Sequence, residues 1–117
     1  MLHLLSFKES HGSRVDLSPD EWSELDDILN IARDEGFLVT RNSGGVAIEY
    51  ARGLDKQVYF DITKEIYQRL KAMGIINNKR SYIHIWDAPE GASEIYFENG
   101  LPITLDMDPH CAVIYFS

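Results

Sequence analysis

Three short turn signals constrain the fold more than any other feature of the chain. Asn42-Ser43-Gly44-Gly45, Pro89-Glu90-Gly91 and Asn99-Gly100 each stand between β-prone apolar runs. Strands joined by two to five residues must run antiparallel, because a parallel pair needs a crossover of about a dozen residues. Across the first signal lie "FLVT" (37–40) and "VAIEY" (46–50). The second ends "SYIHIWDA" (81–88). The third joins "SEIYFE" (93–98) to "LPITLD" (101–106), whose Pro102 suits a sheet edge. "LHLLSF" (2–7) and "CAVIYFS" (111–117) complete the strands, the last following a turn at "MDPH".

Two stretches have helical rather than alternating periodicity. Ser18-Pro19-Asp20-Glu21 is a helix start: Ser18 can cap, Pro19 suits the first turn, and Glu21 completes a capping box. Gly36 supplies the C-terminal stop, so the helix spans about 19–35. Trp22, Leu25, Ile28, Leu29 and Ala32 share one face of it. The second helix runs to Met73, with Ile62, Ile66, Leu70 and Met73 as its stripe and Asp61 or Thr63 as its cap. "QVYF" (57–60), just before it, reads as a short strand. The expected fold is therefore α+β: a largely antiparallel sheet with two amphipathic helices packed on one face, forming a single domain over residues 1–117.

Charge narrows the functional classes. The net charge of −8 argues against nucleic acid as a direct ligand, because phosphate binding relies on Lys and Arg to release counterions. It argues equally against an anionic membrane surface. No run approaches the roughly 20 apolar residues of a membrane span, and "MLHLLSFKES" lacks the charged start of a signal peptide. With Cys111 alone no internal disulfide can form, and a cytoplasmic location is expected.

The charge is also unevenly placed. Residues 16–35 hold eight acids against Arg33, and residues 81–117 hold six acids and no Lys or Arg. On the first helix, Asp20, Glu24, Asp27, Asp34 and Glu35 lie opposite the apolar stripe, with Ile31 among them. Asp34 and Glu35 oppose the helix dipole, and like charges at i,i+3 and i,i+4 cost a little more. Such local conflict is the pattern of residues placed for something other than the helix.

Strand alternation predicts a second surface. With Ile83, Ile85, Ile95 and Phe97 inward, Tyr82, His84, Trp86, Glu94, Tyr96 and Glu98 project from the face the helices leave at least partly open. Aromatic residues among polar ones are what an interface core and rim are made of.

Catalytic and metal patterns are weak. Asp106, Asp108, His110 and Cys111 stand close together, but no second ligand set has a recognisable spacing, so a turn is expected and no metal or cofactor. Cys111 and His110, as strand neighbours, should point to opposite faces and form no catalytic pair. The preferred expectation is a non-enzymatic acidic protein that neutralises a basic protein partner, such as a nuclease toxin or a nucleic-acid-binding factor. Immunity proteins, antitoxins and phage inhibitors act in this way as a class. Its contact residues would be Asp20, Glu24, Asp27, Ile31 and Asp34, or the Tyr82, His84, Trp86, Glu94, Tyr96 and Glu98 face. The alternatives are a small enzyme or ligand-binding domain using His84 or His110, and an oligomerising subunit, such as a homodimer, that pairs through the "CAVIYFS" strand.

Overall fold

The computed structural model describes residues 17–77, 79–86, 93–100 and 107–116. Along the chain these form α1 (Pro19–Asp34), β1 (Leu38–Asn42), β2 (Gly45–Glu49), α2 (Lys56–Ala72), β3 (Tyr82–Trp86), β4 (Glu94–Tyr96), a 3-10 turn (Phe97–Asn99) and β5 (Asp108–Tyr115). The five strands make one sheet in the order β1-β2-β5-β3-β4, and every adjacent pair is antiparallel. The strand read at 2–7, the turn at 89–91 and the strand at 101–106 lie outside the described residues.

α1 begins as its sequence dictates. The Glu21 N–H donates to Ser18 Oγ at 3.2 Å, and the Ser18 N–H donates back to Glu21 Oε1 at 3.0 Å. Two of the helix's orphan donors are thereby satisfied. Gly36, at φ 92°, takes the left-handed conformation that ends the helix and lets Phe37 N–H reach the Ala32 carbonyl. Leu25, Ile28, Leu29 and Ala32 are buried beneath it.

α2 starts about two turns earlier than the sequence reading placed it. Asp55 is the cap, accepting from the Val58 N–H at 3.0 Å. "QVYF" is helix, not strand. Val58, Tyr59 and Phe60 have strand propensity, but Tyr59 extends the stripe of Ile62, Ile66 and Leu70 one turn upstream. Its ring is fully buried and its hydroxyl donates to the Ile48 carbonyl. Burial on the helical period overrides local propensity here. Asp61 is exposed and accepts from Gln57 Nε2, and Thr63 is buried with its hydroxyl on the Phe60 carbonyl. Neither caps the helix.

The helices cover one face of the sheet. Val46, Ile48, Ile83, Ile85, Ala112 and Ile114 point into a core shared with Leu25, Leu29, Tyr59, Ile66 and Leu70. The register places Leu38, Glu49, Ala47, Cys111, Val113, Tyr82, His84, Glu94 and Tyr96 on the opposite face. Its centre is closed, with Ala47, Cys111 and Val113 at 0–1% exposure, and its margins are open, with Leu38 at 53% and Trp86 at 51%.

Three strand boundaries differ from the sequence reading. β5 starts at Asp108, so "MDPH" is mostly strand. It lies between β2 and β3, with both edges occupied, and offers no free edge for pairing with a second copy. β4 stops at Tyr96 because Phe97 turns under Tyr67, ring on ring at 4.4 Å and 9°. Asn99-Gly100 then closes a 3-10 turn rather than a two-residue hairpin, with Gly100 at φ 84° donating to the Phe97 carbonyl.

Candidate functional site

The two flanks of α1 have opposite electrostatic fates. On the flank facing β1, Asp26 accepts both Arg41 Nε at 2.7 Å and an Arg41 terminal nitrogen at 2.9 Å, and Arg33 stands 3.8 Å away. The hydrogen bonds to Arg41 hold the Asp26 carboxyl below the usual carboxylate range. The same guanidinium lies 4.5 Å over the Trp22 ring. Arg33 also donates to Asn30 Oδ1. Arg33 and Arg41 thus both stand on the Asp26 side of α1.

The other flank has none of this compensation. Glu21 spends its carboxylate on the cap. Asp20, Glu24, Asp27, Asp34 and Glu35 are exposed, and among the described residues their carboxylates make no ion pair or hydrogen bond. Glu21, Glu24 and Asp27 rim a groove of about 750 Å³ between α1 and the end of α2. Ile28, Ile31, Ala72 and Met73 supply its apolar lining. Arg69 reaches it from α2, but its guanidinium is already held by Glu65 at 2.8–2.9 Å. The groove therefore combines an apolar floor with an unneutralised carboxylate rim. Asp20 and Asp34 extend the same stripe beyond either end of it, and Ile31, sequence-adjacent to none of the acids, is half-buried in its wall.

The second predicted surface lies on the reverse of the sheet. Tyr82 faces Tyr96 and His84 faces Glu94 across β3–β4. The Tyr96 hydroxyl donates to Glu94 Oε1 at 3.1 Å. Glu98 does not belong to this surface: the 3-10 turn carries it to the α2 side, beside Lys64, Tyr67 and Lys71. Among the described residues, Glu94 therefore does not join the acids of α1, since α1 packs on one face and Glu94 projects from the other.

A bulge adds a residue that sequence reasoning assigned to a turn. The β3–β5 register passes from His84↔Cys111 to Ile85↔Pro109, leaving His110 as the extra residue. Its Nδ1 lies 2.9 Å from His84 Nδ1, and its ring stacks on Trp86 with centroids 4.1 Å apart. One ring nitrogen must donate and the other accept, so the contact needs at least one neutral imidazole. Pro109, which cannot donate to a ladder, is the one sequence signal for the bulge.

The register also lines up Glu49, Cys111, His84 and Glu94 across four strands. This has the residue types of a thiol–imidazole–carboxylate site. The thiol is in the wrong state for one: Cys111 is fully buried, and burial with the nearby Glu49 carboxylate pushes it up to about 12. A nucleophilic cysteine needs the opposite shift and access to substrate. Among the described residues no group of three or more His, Cys, Asp or Glu could hold a metal ion, and Asp106 of the "DMDPHC" set lies outside them. Among the same residues no helix is long and apolar enough to cross a membrane.

No protein-family model, curated protein or solved structure matches this chain.

Proposed function

We propose that this chain is a non-enzymatic binding protein whose groove between α1 and α2 docks a basic, amphipathic segment of a protein partner. The observation that carries the reading is the groove's composition: Glu21, Glu24 and Asp27 at the rim, Ile28, Ile31, Ala72 and Met73 beneath, and Arg69 already paired with Glu65. An apolar floor accepts the apolar stripe of a helix or extended segment, and carboxylates flanking it select lysines and arginines. The physical division of labour follows. Rim charges raise the encounter rate and make it salt-dependent, while contact with Ile31 and Met73 sets the residence time. A basic nuclease or another nucleic-acid-binding factor has such a cationic surface, and a carboxylate-rimmed protein seated on it would inhibit by occupying the place of phosphates. The resulting class is an inhibitor of the immunity-protein or antitoxin kind, by analogy of mechanism.

The test is affinity capture from extract of the native cells with the wild-type chain and the Glu24→Lys/Asp27→Lys variant side by side. The wild type should retain a basic protein at low salt and progressively lose it as salt rises. The double variant should capture at least about 10-fold less, the scale of close charge pairs across an interface. Capture that ignores both salt and charge reversal would remove the groove from the account.

A further inference from the structure

One region of this acidic chain is positive. Lys64, Tyr67, Gln68 and Lys71 stand at i, i+3, i+4 and i+7 along one line of α2. The 3-10 turn faces that line, and Lys79 approaches from the connection between α2 and β3, where its N–H is fixed on Asn77 Oδ1 at 3.1 Å. Between them is a pocket of about 370 Å³, within the size range of small-molecule sites.

Among the described residues its charges are uncompensated. Among the described residues Lys64, Lys71 and Lys79 make no ion pair, although the chain has 19 acids for 11 bases. Glu98 also lines the pocket, yet it pairs with none of the three. Its field falls on Tyr67 instead, where it adds to burial in raising the phenol. Three ammonium groups around one concavity repel one another, and each stays strongly hydrated until an anion replaces its water. The walls are fixed: the buried Tyr67–Phe97 stack holds the 3-10 turn against α2, and Gly100 closes the turn in the left-handed conformation.

We infer that this pocket binds a small ligand bearing a diphosphate group. Lysine is a compact point charge suited to phosphate oxygens. Lys64 and Lys71 are about 10 Å apart along the helix, but their flexible four-carbon stems let both ammonium groups, with that of Lys79, converge on the pocket they line. A diphosphate offers three such cations more anionic oxygens than a single phosphate. The small volume and the acidic remainder of the molecule exclude a nucleic-acid polymer from the same place. The inference is independent of the acidic groove, which uses the opposite flank of the helix pair.

The experiment is an amide-resolved NMR titration of the full chain with inorganic pyrophosphate, with sodium sulfate at equal ionic strength as the reference. Saturable shifts should concentrate at Lys64–Lys71, Lys79 and Phe97–Gly100. Lys64→Gln/Lys71→Gln should weaken binding at least 10-fold. Glu98→Gln should tighten it about 3-fold or more, because the carboxylate repels the anion. All three side chains are exposed, so these variants leave the core intact. An ADP arm separates the sources of the shared chemistry: tighter binding of ADP points to a nucleotide, equal or weaker binding to a free diphosphate. The inference is overturned if pyrophosphate gives no saturable shift beyond sulfate, if the lysine double variant binds undiminished, or if Glu98→Gln weakens binding.

Discussion

At the scale of single residues, Cys111 shows how burial decides chemistry. Its register partner is His84, a placement that by itself suggests reactivity, yet the thiol is sealed and held near 12 instead of the usual 9. Two consequences follow. A thiol-specific reagent at pH 8 should label the urea-unfolded chain readily and the native chain at least about 100-fold more slowly. The second concerns pH. A group whose folded value is raised lends stability fully present below its unfolded value and lost as pH climbs toward the folded one. The Cys111 contribution is therefore complete below pH 9 and declines between 9 and 12, by at most about 1.4 kcal/mol per pH unit. Tyr59 and Tyr82, raised mainly by burial, act in the same direction above pH 10. The urea midpoint should fall from pH 8 to pH 10, and less steeply in Cys111→Ala. An unchanged midpoint would mean the thiol is solvent-accessible. A buried place in the last strand follows from the apolar run around Cys111, but its neighbours could not be read from the sequence, because they are brought together where β5 crosses between β2 and β3, and because the bulge at His110 overrides strict alternation.

At the scale of elements, α1 was legible and α2 was not fully so, for a physical reason. α1 carries a complete local code: a reciprocal cap, an apolar stripe and a glycine stop. α2 begins with residues of strand propensity, and its first turn is decided by Tyr59 entering the core, a tertiary contact with no local signature. Similarly β1 and β2 follow from the Asn42–Gly45 turn, where Asn42 Oδ1 accepts the Gly44 N–H at 2.7 Å. The end of β4 depends instead on Phe97 finding Tyr67, a residue far away in sequence. The acids of α1 divide in the same manner. Those that the helix uses should cost stability when removed, and those it does not use should not. Ser18→Ala, which breaks the capping box, should lower unfolding free energy by about 1 kcal/mol. Glu24→Gln/Asp27→Asn should leave it unchanged or raise it by a few tenths of a kcal/mol, since it relieves repulsion at i,i+3 and i,i+4. Equilibrium urea unfolding of the two variants beside the wild type measures both. A loss of 1 kcal/mol or more in the amide variant would make these carboxylates structural.

At the scale of the whole molecule, the charges of the described residues resolve into separate surfaces. α1 holds its unpaired acids on the helix layer, Glu94 belongs to the reverse of the sheet, and Glu98 joins three lysines beside α2. A count of charge along the chain could show the imbalance but not this partition, which depends on the strand order and on where β4 ends. It also explains how one chain of 117 residues can present an acidic groove and a cationic pocket without mutual neutralisation. The groove reading makes the sharpest demand on geometry. The most direct check is an amide-resolved NMR titration with a designed amphipathic helix bearing leucines on one face and lysines and arginines on its flanks. The account predicts salt-sensitive shifts at Glu21–Ile31 and Arg69–Met73, abolished by Glu24→Lys/Asp27→Lys. Shifts centred on Tyr82, Trp86 and Tyr96, or no shift at all, would contradict it.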